Sequence, residues 1–120
     1  MSKEILVVDD SASIRQVVSM TLQDAGYRVT EAKDGVDALG KLRGQKFNLI
    51  VSDVNMPNMD GISLLREIKK LDSAKFTPVL MLTTESEESK KMEGKQAGAK
   101  AWLVKPFKPA LLLSAVAKLI

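Results

Sequence analysis

A chain of 120 residues with 45% hydrophobic and 28% charged side chains has the composition of one compact soluble domain, and residues 1–120 leave no room for a second module. It holds neither Cys nor His, so disulfides, thiolate nucleophiles, zinc centres built on those residues and every Ser/His/Asp or Cys/His triad are excluded. A net charge of +3 with one Trp, one Tyr and three Phe gives no basis for nucleic-acid binding. No run approaches the roughly 18 apolar residues of a membrane span and no signal peptide opens the chain, so a cytoplasmic protein is expected, with any metal held by oxygen.

In chain order, short apolar runs alternate with segments of helical spacing. Ile5-Leu6-Val7-Val8 reads as a buried strand. Ile14, Val17, Val18, Thr21, Leu22 and Ala25 then mark one face of a helix, and Gly26 stands where a left-handed cap favours glycine. A weaker strand around Arg28-Val29-Thr30 precedes a second helix, marked by Val36, Leu39 and Leu42 and closed by Gly44. Leu49-Ile50-Val51 is the third strand, and Ile62, Leu65, Ile68 and Leu71 mark the helix after it. Val79-Leu80-Met81-Leu82 forms the fourth, followed by the least apolar helix, near Ser86 to Gln96, with Gly98 beyond it. Trp102-Leu103-Val104 is the last strand, and Pro109, a good first helical residue, opens a helix that runs to the end. Continuous apolar runs indicate strands covered on both faces, so the pattern predicts an open, doubly wound α/β sheet of parallel strands.

In such a sheet, ligands bind outside the carboxyl ends of the strands. Those ends carry Asp9-Asp10, Ser52-Asp53, Thr83-Thr84 and Lys105-Pro106. Each alone can be a helix cap or a turn former. Together they bring carboxylates, a hydroxyl and an ammonium to one edge if the first and third strands are neighbours, and clustered carboxylates need a cation to offset their repulsion. Oxygen-only ligation suits Mg²⁺, or Mn²⁺ in its place, and leaves coordination positions for phosphate oxygens. Thr83 can then donate to a transferred phosphoryl group and Lys105 neutralise it, with a carboxylate as the nucleophile that forms an aspartyl-phosphate.

Leu6-Val7-Val8-Asp9-Asp10-Ser11, Asp53-Val54-Asn55-Met56-Pro57-Asn58-Met59-Asp60-Gly61, Leu82-Thr83-Thr84 and Val104-Lys105-Pro106-Phe107 resemble, in the same order, the motifs of the response-regulator receiver domain. The resemblance spans the whole chain and implies a flavodoxin-like (βα)5 fold with strand order 2-1-3-4-5, which periodicity alone does not give. It implies Asp53 as phosphoacceptor. Asp9 and Asp10 would position Mg²⁺, with Asp10 the more direct ligand, and Asp53 and the Asn55 backbone carbonyl would complete the protein's share of the shell. Thr83 would contact the phosphoryl group, Lys105 would pair with it, and the Lys105-Pro106 peptide would be cis. A switch would couple Thr83 to an aromatic on the last strand, here Trp102. Being bulkier than the Tyr of chemotaxis members and lacking a phenolic hydroxyl, Trp102 either turns as that switch or packs statically on the edge strand. Thr84 stands where a small residue is usual, which would alter access to Asp53.

The same resemblance implies a histidine kinase as phosphate donor and a protein target docking on the fourth helix, last strand and last helix, such as a flagellar switch protein. A monomer with no output domain is expected, and charge and hydropathy point to neither a nucleic-acid nor a membrane partner. Lys90, Lys91, Lys95, Lys100, Lys105 and Lys108 against Glu93 would give that region a basic face for an acidic partner. Glu85, Glu87 and Glu88 ahead of them also make an order that the helix dipole favours by itself. The last helix is apolar nearly all round, so some leucine should stay outside. Two other readings are a phosphate sink that drains the kinase without binding the motor, and an aspartyl-phosphate phosphohydrolase. The hydrolase lacks its second acid, because Asn55 stands two residues after Asp53. A flavin or nucleotide carrier is disfavoured because Asp9-Asp10 would repel phosphate without metal. The chain is read as a phosphoacceptor and not as an enzyme that turns over an external substrate.

Overall fold

The computed structural model describes residues 3–83 and 88–120. Strands β1 (Glu4–Val8), β2 (Arg28–Ala32), β3 (Leu49–Asp53), β4 (Val79–Thr83) and β5 (Ala101–Val104) alternate with helices α1 (Ala12–Asp24), α2 (Gly35–Gly44), α3 (Gly61–Ile68), α4 (Glu88–Ala97) and α5 (Pro109–Leu119). The strands form one sheet in the order β2-β1-β3-β4-β5, every pair parallel. This is the expected flavodoxin-like arrangement.

Strand periodicity divides the core in two, because successive side chains point to opposite faces. Leu6, Val8, Ile50 and Met81 meet Leu39, Leu42, Ile62, Leu65 and Ile68 from α2 and α3 on one face. Ile5, Val7, Leu49, Val51, Leu80 and Leu82 meet Val18 and Leu22 of α1 and Leu112 and Val116 of α5 on the other. Each such aliphatic side chain contributes roughly 1.5–3 kcal/mol by leaving water. The central strands are buried along their length, whereas edge strands β2 and β5 are only partly covered. Among the described residues no helix is long and apolar enough to cross a membrane.

Helix starts are set by side-chain caps of about 1 kcal/mol each. Ser11 accepts from the Ile14 amide at 3.4 Å, Asp34 from Asp37 at 2.8 Å and Asp60 from Ser63 at 2.8 Å. Gly26 and Gly98 have φ of 98° and 110°, the left-handed caps expected of them. Gly44 does not: it is the last residue of α2, and the chain leaves through Gln45 in extended conformation. Val17 and Val36, placed on buried faces by spacing, are each 57% exposed, because α1 buries Val18 and Leu22 and α2 buries Leu39 and Leu42. Helix α3 stops at Ile68, and Leu71 packs on the core from the turn that follows. Helix α4 ends close to the expected Gln96, while the expected start at Ser86 lies outside the described residues. Leu111 is 55% exposed, the outward leucine that the composition of α5 requires.

The loop between β3 and α3 closes on itself at Gly61, whose amide donates to the Val54 carbonyl at 2.7 Å. A Cβ at this position would lie 2.1 Å from the Asp53 carbonyl oxygen and 2.9 Å from Val54 Cα, so only glycine lets α3 start this close to β3. Both obstacles are backbone and cannot swing aside. Gly61→Ala should therefore cost at least about 2–3 kcal/mol of unfolding free energy. Urea denaturation of the variant beside the wild type checks this, and equal midpoints would contradict it.

Candidate functional site

Asp9 directly follows β1 and is 1% exposed. Its Oδ1 accepts from the Ser11 amide at 2.9 Å and its Oδ2 from Lys105 Nζ at 2.9 Å. Its main-chain carbonyl accepts from Arg15 Nη1 at 2.7 Å, and Arg15 is held in turn by Glu31 at 2.9 Å. Asp53 ends β3, and because β3 lies beside β1 the two carboxylates arrive together. Its Oδ1 accepts from the Val54 amide at 2.9 Å and lies 3.3 Å from Lys105 Nζ. Asp10 is exposed at the rim. Carboxylate oxygens of Asp9, Asp10 and Asp53 all lie within 4.8 Å of one another.

Lys105 joins this cluster because it follows β5 directly, and its amide donates to the carbonyl of Thr83 at the end of β4. Thr83 is 1% exposed and pairs in register with Val104, so β4 and β5 end side by side. The Lys105-Pro106 peptide is cis, as the resemblance implies. Asn55 is exposed on the loop after Asp53. Ser52 turns away, its hydroxyl donating to the Asp53 main-chain carbonyl at 3.0 Å. Thr84, and with it any effect on access to Asp53, lies outside the described residues.

Burial raises the pKa of Asp53, Lys105 opposes the rise and the charge of Asp9 adds to it. One ammonium thus faces three carboxylates. The oxygen-only donors and the excess negative charge fit a hard divalent cation with part of its shell left to water or substrate.

The indole of Trp102 lies between β5 and α4. A Cβ on Gly94 would sit 2.5 Å from Trp102 Cζ3, so a glycine inside α4 makes room for the ring. The ring packs against the same core cluster as Met81, its partner in register, and Nε1 is buried with no hydrogen-bond partner among the described residues. A cleft of about 230 Å³ beside it is lined by Lys91, Lys95, Ala99, Lys100, Ala101 and Trp102. Lys91, Lys95, Lys100 and Lys108 are exposed as expected, but Lys105 is drawn into the acidic cluster and leaves the basic face. Glu93 pairs with Arg66 of α3 at 3.1 Å. The side chains of Lys90, Glu85, Glu87 and Glu88 lie outside the described residues.

Gly61, Gly94, Arg15 and Ser11 escaped the sequence reading as supports of the site. Asp60-Gly61 before an apolar run was the available signal for Gly61. Gly94 carries no such signal, because a glycine within a polar helix reads only as a weak point of that helix until the ring of Trp102 is seen against it.

A five-stranded parallel sheet in this order, with an acidic cluster and a lysine at its carboxyl edge, defines a receiver, and known proteins agree. Residues 5–117 match the response regulator receiver domain, and the chain belongs to that family. Within it, the chain is CheY-like. It is 43% identical over 110 residues to chemotaxis protein CheY-3 of Vibrio cholerae, covering 91% of this chain and 85% of the relative. The structure of CheY4 from Vibrio cholerae superposes with a TM-score of 0.96 at 51% identity, covering 100% of both chains. The receiver domain of sensor histidine kinase PA1611 from Pseudomonas aeruginosa, solved with magnesium in its active-site cleft, superposes at 0.91 with 32% identity, covering 99% of this chain and 98% of that one.

The raised pKa of Asp53 has a consequence for stability. Its folded value lies above its unfolded value, so the folded state binds more protons between the two and stability falls as pH rises through that window. Without metal, Asp53→Asn should therefore unfold at higher urea than the wild type at pH 7 and lose the advantage below the ordinary carboxylate range. A variant less stable than the wild type at pH 7 would contradict this.

Proposed function

We propose that the chain is a phosphorylation-activated switch of a chemotaxis two-component pathway, with Asp53 as phosphoacceptor. The observation that carries this reading is the buried Asp53 carboxylate, oriented by the Val54 amide and Lys105 and clustered with Asp9 and Asp10. A carboxylate oxygen of Asp53 attacks the phosphorus of a phosphohistidine, the P–N bond breaks, and its electron pair stays on the departing imidazole. Asp9, Asp10, Asp53 and the Asn55 carbonyl would hold Mg²⁺, which would offset negative charge on the transferred group. Lys105 supplies a second cation on the Asp53 side, and Thr83 donates to a phosphoryl oxygen. The chain acts once per signal and does not turn over an external substrate. A cytoplasmic location accompanies this reading.

Two features support a protein target over a bare phosphate sink. The cleft beside Trp102 is bordered by three exposed lysines, which suits an acidic partner, and Leu111 adds an exposed apolar residue on α5. Thr83 ends the strand that leads toward α4, and Lys105, 3.3 Å from the Asp53 carboxylate, follows the strand that leads to α5, so both routes to that face start at the acceptor edge. A flagellar switch protein is the target that the family resemblance implies.

Incubated with acetyl phosphate and Mg²⁺, the wild type should gain one phosphoryl group by intact-mass analysis and Asp53→Ala none. Equal modification of that variant would move the acceptor elsewhere.

A phosphoryl mimic must also reach the distant face. Beryllofluoride should change Trp102 fluorescence and amide exchange from residue 88 to 120, and the change should be lost in Thr83→Ala while beryllofluoride still binds. A tenfold change in partner affinity needs only about 1.4 kcal/mol of difference between two states. Local change at Asp9, Asp10 and Asp53 alone would favour the sink.

A further inference from the structure

The loop from Val54 to Asp60 leaves the sheet directly after Asp53 and carries Asn55. Its ends are secured from the core: the Val54 amide donates to the Leu82 carbonyl at 3.0 Å, and the Gly61 amide to Val54. At its tip Asn58 has φ of 69°, the one non-glycine with positive φ among the described residues. Across it the Met59 amide donates to the Pro57 carbonyl at 2.7 Å, the i→i+2 pattern of a γ-turn, which with positive φ is the rare and strained form. Such a turn at an exposed tip persists only where its surroundings hold it.

Besides the packing of Met56 and Met59 against the core, two contacts from the start of α2 hold it. Asn58 Nδ2 donates to Asp34 Oδ2 at 3.2 Å. Met59 seats on Gly35 so closely that a Cβ there would come within 2.9 Å of Met59 Cβ and 3.0 Å of its Sδ. Asp34 is a firm anchor, because its other oxygen caps α2. Asparagine meets both demands of position 58: it tolerates the left-handed region and offers a donor to a carboxylate. Glycine would meet only the first, and aspartate would oppose Asp34.

We propose that the Asp34–Asn58 hydrogen bond, with Met59 seated on Gly35, holds the loop after Asp53 in its metal-binding arrangement, making Asp34 and Asn58 positioning residues for Mg²⁺. This rests on the reading of Asp9, Asp10, Asp53 and Asn55 as the metal site. Neither residue touches that site. They act by keeping the Asn55 segment in one conformation, and apparent affinity falls in proportion to the fraction of molecules that have it.

The test compares the wild type with Asn58→Gly, Asn58→Asp and the exchanged pair Asp34→Asn/Asn58→Asp, in which donor and acceptor change places at constant net charge. Mg²⁺ affinity is measured by calorimetry, and urea unfolding and exchange of the Met59 and Gly61 amides are followed without metal. Asn58→Gly should weaken Mg²⁺ binding about threefold to tenfold, the worth of one hydrogen bond, and speed amide exchange. Its unfolding midpoint should stay near that of the wild type, because glycine accepts the positive φ. Asn58→Asp should speed exchange as much, and adding Asp34→Asn should restore both protection and affinity. Unchanged affinity in Asn58→Gly, or a loss that the exchanged pair does not restore, would overturn the inference and leave the metal site standing. Failure of the wild type to bind Mg²⁺ would instead remove the reading beneath it.

Discussion

Asp9 and Asp53 lie at the ends of neighbouring parallel strands, so the sheet forces two buried carboxylates together, and the Lys105 ammonium between them is what makes this arrangement tenable. Its side chain is 10% exposed, and it sits 2.9 Å from one carboxylate and 3.3 Å from the other. Replacing Lys105 with a neutral residue would strand two buried carboxylates, the kind of loss that costs about 3–5 kcal/mol, whereas neutralising Asp53 leaves the Lys105–Asp9 pair in place. The lysine balances the pair only in part. Burial and Asp9 together still raise the pKa of Asp53, and the exposed Asp10 adds further negative charge at the rim.

The ion pair also ties the two ends of the chain. Asp9 and Lys105 are 96 residues apart, and β3 and β4 stand between their strands. The cluster is complete only when β1, β3, β4 and β5 stand side by side, so structures that lack any of these strands do not contain it. The cost of concentrating charge at this edge is carried by the aliphatic layers on both faces of the central strands, where Leu6, Ile50 and Leu80 are fully buried. Stability made in the core sustains a locally unfavourable edge, as is usual where a site needs charge in close quarters.

Much of this was legible in sequence because the strands are nearly uniform apolar runs that stop at polar residues. Val8 before Asp9 and Leu82 before Thr83 mark the edge without any knowledge of tertiary structure, and strand–helix alternation leaves few folds to choose from. Helix faces were harder. Val17 and Val36 fit the apolar spacing but lie on the solvent side, since the ambiguity at the border of a stripe is settled only by which face meets the sheet. Gly44 has cap composition but stays helical, because the exit there is extended and needs no left-handed residue. The Asp34–Asn58 contact joins two loops 24 residues apart, and nothing local announces it. The room that Gly94 makes for Trp102 likewise exists only once α4 lies on β5.

The registers Val8↔Ser52, Asp53↔Leu82 and Thr83↔Val104 mean that the chemistry is measured out by counting residues along strands. Side chains alternate faces with a period of two, so adding or deleting a single residue inside β1, β3 or β4 would turn every later side chain of that strand to the opposite layer. Aspartate or threonine would then point into hydrocarbon and an aliphatic residue toward the edge. Changes of length are therefore better absorbed by the turns at the amino-terminal edge of the sheet and by the helices, while the strands behave as rulers whose graduations cannot be moved.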